Sequence, residues 1–552
     1  MPPWSALPDG PVRFRVSEGG AFRRELSRRA SDPAGRTWVY VPYDQLTDEI
    51  GPLSRLDPSD AGVVLVESAW KPARRPYHKQ KLALILANQR HFALEQAARG
   101  VAVRYRATRS PYSVALREEA REMGPLSLME PAERELRADL ASLVADGLLT
   151  VEPHEGWITS SEDFEASQKP HPPWRMDAFY RHVRRETGLL MDDGRPEGGK
   201  YSHDVENRRP WRGEPDAPEA LQFPVDPVKA EVAEFVESRF ASHPGSLRPA
   251  ALPATRSDAE MLWARALREC LPWFGPFEDA MSLQARDLFH TRISFLLHVH
   301  RLLPRRVVAE VAASDAPLAS REGFVRQVLG WREFMRHVHV RTDGFRDLPG
   351  SDSADDRATD APAAPSVLRA EEPLPPAFWG TTSGLHCLDS VVCSVLETGY
   401  SHHITRLMVL SNLATLIAVS PRELTVWFWV MYTDAVEWVV EPNVLGMGTF
   451  GAGDLMTTKP YVSGAAYINR MSDYCSECAF DPRDDCPITS FYWAFLERNE
   501  DRLRDNPRMR LPLASMRKRG EDQRKKDRVV TEWAKAELQG GRRLRPADRP
   551  VS

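Results

Sequence analysis

Four cysteines in the last third of the chain constrain its fold most, because their side chains can share one metal site only if distant segments meet. Cys387 stands alone, whereas Cys475, Cys478 and Cys486 lie close together, and Pro487 follows the last of them. Four thiolates suit either zinc or an iron–sulfur cluster, and a proline after the final cysteine is typical of bacterial ferredoxin sequences. The spacing alone leaves both metals open.

The remaining cysteines and the composition describe the environment of the chain. Cys270 and Cys393 lie among apolar residues and are predicted to be small core residues. We see no secretory signal, and therefore expect a cytoplasmic protein without a disulfide framework. The longest apolar stretch, 407–432, is interrupted by a polar segment at 420–423, so no membrane helix is expected.

The length and charge of the chain limit its organisation and its partners. With 552 residues, of which 42% are hydrophobic and 27% charged, it is predicted to form two or more globular domains. The net charge of -5 gives no overall attraction to nucleic acid. Any DNA-binding surface must therefore be a local basic face.

The block from Trp379 to Cys486 adds histidines, tryptophans and acidic residues to the cysteines. It contains the pair His402 and His403, the aromatic run 426–429 and an acidic segment that begins at Asp434. Adjacent residues on a helix point about 100° apart, so joint binding of one ion by the two histidines is disfavoured. The combination predicts a redox cofactor protein.

The order of these motifs resembles the iron–sulfur bacterial cryptochromes and photolyases, a branch of the photolyase superfamily. The matching stretches are 386–388, 397–408, 434–438, 442–447, 459–461 and 470–475. The resemblance implies that Cys387, Cys475, Cys478 and Cys486 hold a [4Fe–4S] cluster, and it shifts the interpretation away from zinc. It also implies FAD and DNA that contains UV lesions as partners of a monomeric protein.

The first part of the chain is predicted to be a doubly wound α/β domain over residues 37–155, preceded by a disordered extension at 1–36. Short apolar runs at 37–41, 62–66, 101–105 and 149–152 alternate with helical patterns. No G-x-G-x-x-G follows the first strand, which disfavours a dinucleotide site there. The stretches 44–46, 77–81 and 90–93 resemble the antenna domain of the family, which implies a 6,7-dimethyl-8-ribityllumazine pigment.

The rest of the chain is predicted to be mainly helical. Residues 156–226 form a linker with a basic helix, and residues 227–515 form a large all-α FAD-binding domain that ends in the iron–sulfur segment. Residues 351–370 are predicted to be a flexible insertion because they are rich in Asp, Ala, Pro and Ser. Residues 516–552 are predicted to be a basic C-terminal tail, with a solvated helix as the simplest interpretation and DNA phosphate contact as the alternative.

Small hydroxyl residues at a helix start suit a phosphate, and the stretch 287–298 resembles the flavin-pyrophosphate loop of the family. The family usually has proline and asparagine where this chain has Phe295 and His298. The resemblance implies that the following residues bind the flavin: Thr291, Arg292, Ile293, Ser294, Gln327, Trp331, Arg332, Asp434 and Asn443.

The resemblance also implies an electron relay through Trp379 and Trp427, whereas each tryptophan on its own is best interpreted as core packing. The family often has tyrosine at Phe428, and it has a polar residue facing flavin N5 at the position of Val440. Either the backbone is shifted here so that Glu441 takes that place, or protonation of the flavin is altered.

Three interpretations of the function follow. The leading one is light-driven repair of pyrimidine (6-4) photoproducts, with His403 as the proton donor beside His402. Asp204 and Asp279 match acidic positions expected near the lesion cavity, where they would contact the lesion or a divalent cation such as Mg²⁺. The second interpretation is a non-enzymatic cryptochrome, a blue-light receptor with the same cofactors. The third is a zinc-containing DNA-binding protein, which would be colourless.

Overall fold

The first domain is built around a parallel sheet. The computed structural model describes residues 19–348 and 366–550. The sheet order is β3-β2-β1-β4-β5, with every pair parallel. Its strands are β1 (Thr37–Tyr40), β2 (Ala61–Ser68), β3 (Ala102–Thr108), β4 (Leu126–Met129) and β5 (Leu149–Glu152). Sequence patterns predict four of these strands, whereas the four-residue β4 was not predicted.

Helices cover both faces of the sheet. The helix Lys79–Ala98 packs Phe92 and Ala93 against one face, and the helices Tyr112–Met123 and Arg134–Ala145 pack against the other. Burial on both faces explains why β2 is a continuous apolar run. The predicted doubly wound α/β architecture is therefore confirmed.

The predicted N-terminal extension is partly wrong. A helix forms at Ala21–Arg28, and Phe22 at its start is fully buried. The backbone N–H of Phe22 donates to Glu231 over 3.0 Å, and its ring lies 4.6 Å from that of Tyr105. These contacts, which fix the helix, join residues far apart in sequence, so local composition could not predict them. Residues 1–18 lie outside the described part of the chain.

The second domain is helical, as predicted. The preceding segment contains the helices Ser161–Ser167 and Met176–Thr187 and a small hairpin of Met191–Asp192 with Arg195–Pro196. The helices that follow are Pro227–Arg239, Arg256–Arg265, Leu271–Phe277, Ser294–His298, Pro304–Ala312, Leu318–Val325, Glu333–Arg341, His386–Thr398, His403–Thr405, Asn412–Leu416, Pro421–Met431, Glu437–Val440, Ala465–Met471, Pro487–Arg498, Glu500–Leu503, Arg510–Arg517 and Glu521–Gln539.

Several helices contain or adjoin a wider, π-helical turn. These turns are Ala266–Cys270, Arg326–Arg332, Arg406–Ser411 and Glu441–Gly448. Single π-helical turns inside helices occur frequently at functional sites. The last three of these turns contribute side chains to the cavities described below.

The C-terminal segment forms a helix, as its simplest interpretation predicted, but this helix is packed on the domain and is not a separate tail. The helix Glu521–Gln539 packs on the helix Pro487–Arg498 and buries Val530, Ala534 and Leu538. Its basic residues form ion pairs, as between Arg528 and Glu497 at 2.7 Å. An apolar stripe beneath a charged surface therefore makes this segment part of the domain.

The predicted insertion at 351–370 lies mainly outside the described residues, which resume at 366. From there the chain is anchored, because the N–H of Val367 donates to the carbonyl of Gly451 over 2.9 Å. Among the helices that the structure describes, none has the length and apolarity needed to cross a membrane.

Candidate functional site

Two adjoining cavities lie in the helical domain. The inner cavity has a volume of about 320 Å³, and the outer cavity has a volume of about 1130 Å³. Six residues line both: Gln327, Trp331, His403, Leu407, Asn443 and Met447. A group bound in the inner cavity and a larger ligand in the outer one would therefore meet at a shared wall.

All nine residues predicted to bind a cofactor line the inner cavity. They come from three separate parts of the chain: the loop and helix start at 291–294, the turn at 327–332, and residues 434 and 443. Folding thus brings the predicted set together, while binding itself remains a prediction. The loop has an unusual backbone, since Leu288 and Arg292 have φ of 44° and 59°. Non-glycine residues in this region are strained and cluster at functional sites.

Tertiary contacts hold this loop in its strained conformation. The guanidinium of Arg292 forms an ion pair with Asp287 at 2.6 Å and lies 4.0 Å from the ring centroid of Tyr400. The short helix that follows begins at Ser294, whose hydroxyl donates to Asp434 over 2.7 Å. The loop and the segment around residue 434 are thereby tied together at the cavity wall.

Asp434 is a buried, ionised acceptor in the inner cavity. Burial raises its pKa, but Arg406, which donates over 3.0 Å, and Ser294 outweigh burial and hold the pKa below its ordinary value. Its Oδ1 atom is buried without a hydrogen-bond partner among the described residues. The Nε and Nη2 atoms of Arg332 are likewise buried and unpartnered. The cavity therefore offers an anionic acceptor and cationic donors to a ligand.

Val440 and Glu441 are neighbours in sequence but have different surroundings. Val440 lines the inner cavity and is buried. Glu441 lies in another network, where it pairs with His339 at 3.0 Å and with Arg346 and Arg422 at 3.2 Å each. The aliphatic residue therefore faces the cavity, and the carboxylate is held elsewhere by cations.

Three histidines meet where the cavities join. The rings of His290 and His402 stack at 4.4 Å with an interplanar angle of 11°, and His403 lies 5.4 Å from His290. Burial, with further contributions from His403 and Arg406, lowers the pKa of His402 well below its usual range, so that this ring is neutral. His402 is extended and precedes the helix His403–Thr405, so the helical geometry assumed for the pair was wrong.

His403 differs from its neighbours in exposure and in its charged partner. Its side chain is 41% exposed, and its Nε2 atom lies 3.5 Å from Oδ1 of Asp279. Ring nitrogens accept or donate in the ring plane, so the parallel rings of His290 and His402 do not converge on one ion. The arrangement therefore suits proton transfer at His403 better than metal binding by the three histidines.

The outer cavity has a predominantly basic lining. Its basic residues are Arg181, Lys200, Arg208, Arg326, Lys459, Arg470 and Arg508, and its acidic residues are Asp177, Asp204, Glu278 and Asp279. Tyrosines and Trp331 also line it. Positive charge interleaved with aromatic rings suits a phosphate backbone with exposed bases. This local basic surface is compatible with the negative net charge of the chain.

The two predicted acidic residues lie in this cavity but already have cationic neighbours. Asp204 pairs with Arg208 and lies 3.3 Å from Arg326, and Asp279 lies 4.0 Å from Arg208. Arg208 thus stands between the two carboxylates. A divalent cation at this point would compete with Arg208 for them.

The four predicted cysteines line one small cavity, together with Leu385, Ile468, Tyr474 and Phe480. Burial raises the pKa of Cys475 to about 11 and that of Cys486 to about 12, and the neighbouring cysteines add to this effect. Four thiolates in such a place need a cation, and a metal provides one. The donor set fits a zinc ion or an iron–sulfur cluster.

The two remaining cysteines differ in their burial. Cys270 is buried, as predicted, whereas Cys393 is exposed and its thiol donates to Glu397 over 3.3 Å, so the core assignment of Cys393 was wrong. The helix His386–Thr398 explains the error, because an apolar sequence neighbourhood does not determine which helix face a residue takes.

Of the two predicted relay residues, Trp427 lies one aromatic ring away from the inner cavity. Phe428 lines the cavity, and Trp427, which is fully buried, contacts it at 5.2 Å. Trp427 also contacts Phe378 at 5.4 Å, and Trp379 is the next residue. Trp429, by contrast, lies under Arg75 at 4.3 Å and lines a different cavity.

Several cavity residues had no assigned role in the sequence analysis. Arg406, Tyr400 and His298 line the inner cavity, and Arg208 and Tyr461 line the outer one. Burial, followed by Arg332, lowers the pKa of His298 to about 3 and keeps it neutral. Arg406 and Tyr461 lie within the stretches 397–408 and 459–461 that resemble the family, and this position was the only sign in the sequence that they could line a cavity. Residue spacing and periodicity do not identify cavity walls.

Comparison with known proteins gives a consistent result. A family described as deoxyribodipyrimidine photo-lyase-related protein matches residues 39–252. A (6-4) photolyase from Agrobacterium fabrum is 33% identical over 506 residues, which cover 88% of this chain and 96% of that protein.

Two solved structures share the fold. A bacterial class III photolyase from Agrobacterium tumefaciens superposes with a TM-score of 0.52 and 15% identity, over 93% of this chain and 98% of its own. A Synechocystis cryptochrome superposes with a TM-score of 0.50 and 16% identity, over 75% and 82% of the two chains. At these identities the two structures support the fold alone.

Proposed function

This chain belongs to the bacterial branch of the photolyase/cryptochrome family that includes the Agrobacterium (6-4) photolyase, and from this premise we propose that it repairs pyrimidine (6-4) photoproducts in DNA under blue light. The observation that carries the proposal is the position of His403. This histidine lies on the wall that the inner and outer cavities share, where a proton donor could reach a lesion beside an electron donor.

The inner cavity would hold FAD. Its volume and its mainly apolar walls with a few unpartnered polar atoms suit a cofactor site. Asp434 would accept a hydrogen bond from the flavin ring, and Arg332 would donate to it. Thr291 and Ser294 lie in the loop that would receive the pyrophosphate. When bound and reduced, a flavin supplies one electron after excitation.

The outer cavity would receive the lesion, extruded from the duplex because its chemistry is inaccessible within the base stack. Arg208, Lys459 and Arg508 would contact the flanking phosphates. His403 would donate a proton to the lesion and recover it when the bonds have rearranged, with Asp279 stabilising the charged ring. His402 would remain neutral and would hold the position of His403.

We also propose that the four cysteines hold a [4Fe–4S] cluster, and that Asp204 and Asp279 bind Mg²⁺ when lesion phosphates draw Arg208 away from them. The cluster proposal rests on the shared cavity and the donor set. A repair assay tests the main proposal: the reduced protein is illuminated with an oligonucleotide that carries one (6-4) photoproduct, and the restored bases are quantified. Absence of repair at full flavin occupancy would contradict it.

One observation favours a receptor function instead. Val440 presents no hydrogen-bonding group to the inner cavity, at a position where the family usually has a polar residue. Val440 would therefore offer a bound flavin neither a hydrogen bond nor a proton. The alternative proposal is therefore a blue-light receptor with the same cofactors, which would change conformation on illumination and repair no lesion.

The ion pair of Asp434 makes a prediction about flavin binding. Asp434→Asn is expected to weaken FAD binding about tenfold or more, because hydrogen bonds to charged groups contribute about 1.5–3 kcal/mol. FAD titration of the apoprotein, followed by fluorescence, measures the dissociation constant. Asp522→Asn, on the exposed surface of the last helix, is the control. Equal affinities in both variants would show that Asp434 does not contact the cofactor.

The tryptophans make a second prediction. Trp427→Phe is expected to slow photoreduction of the flavin about tenfold or more, equivalent to a barrier about 1.4 kcal/mol higher, because phenylalanine is far harder to oxidise. Trp429→Phe serves as the matched control, since Trp429 lines a different cavity. Transient absorption at equal flavin occupancy measures both rates. Unchanged rates in both variants would mean that another route supplies the electron.

A further inference from the structure

A third cavity lies between the parallel sheet and the helical domain. Its lining comes from the end of β2, from the segments that follow β1, β2 and β4, and from the helix Lys79–Ala98. Tyr112 and, in the helical domain, Phe240, Trp429 and Val436 complete it. In the sheet order β1 lies between β2 and β4, so the cavity is at the topological switch point. Open α/β sheets bind their ligands at this point, outside the carboxyl ends of the strands. An antenna pigment such as a ribityllumazine would therefore be expected here.

We infer that this chain holds no ribityllumazine in the third cavity, because its own Lys71 and Glu133 fill the place. Lys71 follows β2 and Glu133 follows β4, and the ammonium group of Lys71 contacts the Glu133 carboxylate directly. The same ammonium donates to the Tyr43 hydroxyl over 2.7 Å and lies 3.9 Å from Glu135. The Tyr43 hydroxyl in turn donates to Glu133. This network joins the ends of three strands across the switch point.

The network cannot open without cost. The side chains of Lys71 and Glu133 are only 8% and 5% exposed. A pigment that separated them would leave the buried Glu133 carboxylate without its cation, and breaking a buried ion pair in this way is strongly destabilising. The ion pair of Lys71 and Glu133 therefore closes the cavity as a fixed part of the structure, whereas an exposed side chain could move aside.

The remaining space is too small for the pigment. The third cavity has a volume of about 80 Å³, against about 320 Å³ for the inner cavity of the same chain. Sites that bury small-molecule cofactors have volumes of about 300 Å³ or more. A space of the smaller size accommodates a few water molecules, but no bicyclic ring with a ribityl chain.

Other polar groups of the wall are also occupied. The ammonium group of Lys81 donates to the carbonyls of Trp429 and Ala435 over 2.7 and 2.5 Å, and the side-chain amide of Gln89 donates to the carbonyl of Val66 over 3.0 Å. Asp44 is a nearby exception, and it would favour a ligand. Both of its carboxylate oxygens are buried without a partner among the described residues. Burial, followed by Glu133, raises its pKa to about 7, and Asp44 is not part of the lining of this cavity.

Titration with the pigment in the dark tests the inference. Purified protein is titrated with 6,7-dimethyl-8-ribityllumazine, and pigment fluorescence and equilibrium dialysis report binding. The unmodified chain is expected to bind none. The double variant Lys71→Ala/Glu133→Ala, which removes both charges together, is expected to bind the pigment stoichiometrically, because it opens a cavity of ligand size. Lys79→Ala, which loses a surface pair with Glu237, is the control.

Each outcome of the titration decides the matter. Stoichiometric binding to the unmodified chain would overturn the inference. Absence of binding to both the unmodified chain and the folded double variant would overturn the role given to Lys71 and Glu133, with circular dichroism establishing the fold. Because no step uses light, flavin or DNA, the result is independent of whether the protein repairs lesions.

Discussion

Replacing His403 with alanine is expected to lower the rate of (6-4) photoproduct repair about 10²-fold or more, the usual contribution of a positioned general acid. The reason is its place on the wall shared by the inner and outer cavities, with Asp279 as its charged partner. A proton donor acts after electron transfer, so FAD content and photoreduction are expected to be unchanged. Quantification of restored bases per flash, at equal flavin occupancy, measures the effect.

Two further variants make this result interpretable. His171→Ala, on the exposed surface, is expected to repair normally. His402→Ala is expected to impair repair more weakly, because its stacked ring supports the wall at His290 and is uncharged, so it is a poor proton donor. Lesion DNA binding is expected to survive in all three variants, since phosphate contacts come from arginine and lysine.

If His403→Ala repairs the lesion at the normal rate, another residue of the same cavity wall is the proton donor. If the unmodified protein repairs no lesion, the receptor alternative is favoured, and Val440 becomes the first residue to change. Val440→Asn would then test whether a hydrogen-bonding side chain at this position restores activity.

Replacing Cys475 with serine is expected to remove the metal and to lower the free energy of unfolding by several kcal/mol, because metal-binding energy is folding energy in such sites. The cysteine cavity joins the helix His386–Thr398, the turn Tyr474–Glu477 and the start of the helix Pro487–Arg498. Its loss would release segments that are far apart in sequence. Elemental analysis and thermal unfolding of anaerobically purified protein measure the two effects.

The control is Cys393→Ser, because Cys393 is exposed and lies outside the cysteine cavity. It is expected to keep about four irons per chain, the content of a [4Fe–4S] cluster, and its full stability. If the unmodified protein contains stoichiometric zinc and no iron, the four cysteines hold a structural zinc ion and the cluster proposal is wrong. The cysteines would then join the same segments through zinc, which has no redox chemistry.

Local patterns in the sequence determined the fold class and much of the candidate site. The buried run at 62–66 predicted a parallel strand, and the alternation of strands and helices predicted the doubly wound domain. The motif resemblance named nine residues that line one cavity and four cysteines that line another. The prediction of the fold class is confirmed, because hydrophobic periodicity is a local property of the sequence. The roles of the cavity residues remain predictions that rest on the resemblance, because these residues come from separate parts of the chain.

The tertiary structure alone decided which distant side chains face each other. Phe22 meets Tyr105 and Glu231, and these contacts hold a helix in a segment predicted to be disordered. Burial of Val530 packs the predicted C-terminal helix onto the domain. The contact between Lys71 and Glu133 joins residues 62 positions apart at the switch point of the sheet. Such contacts depend on the packing of the whole chain, and neither charge nor periodicity in a local window contains that information.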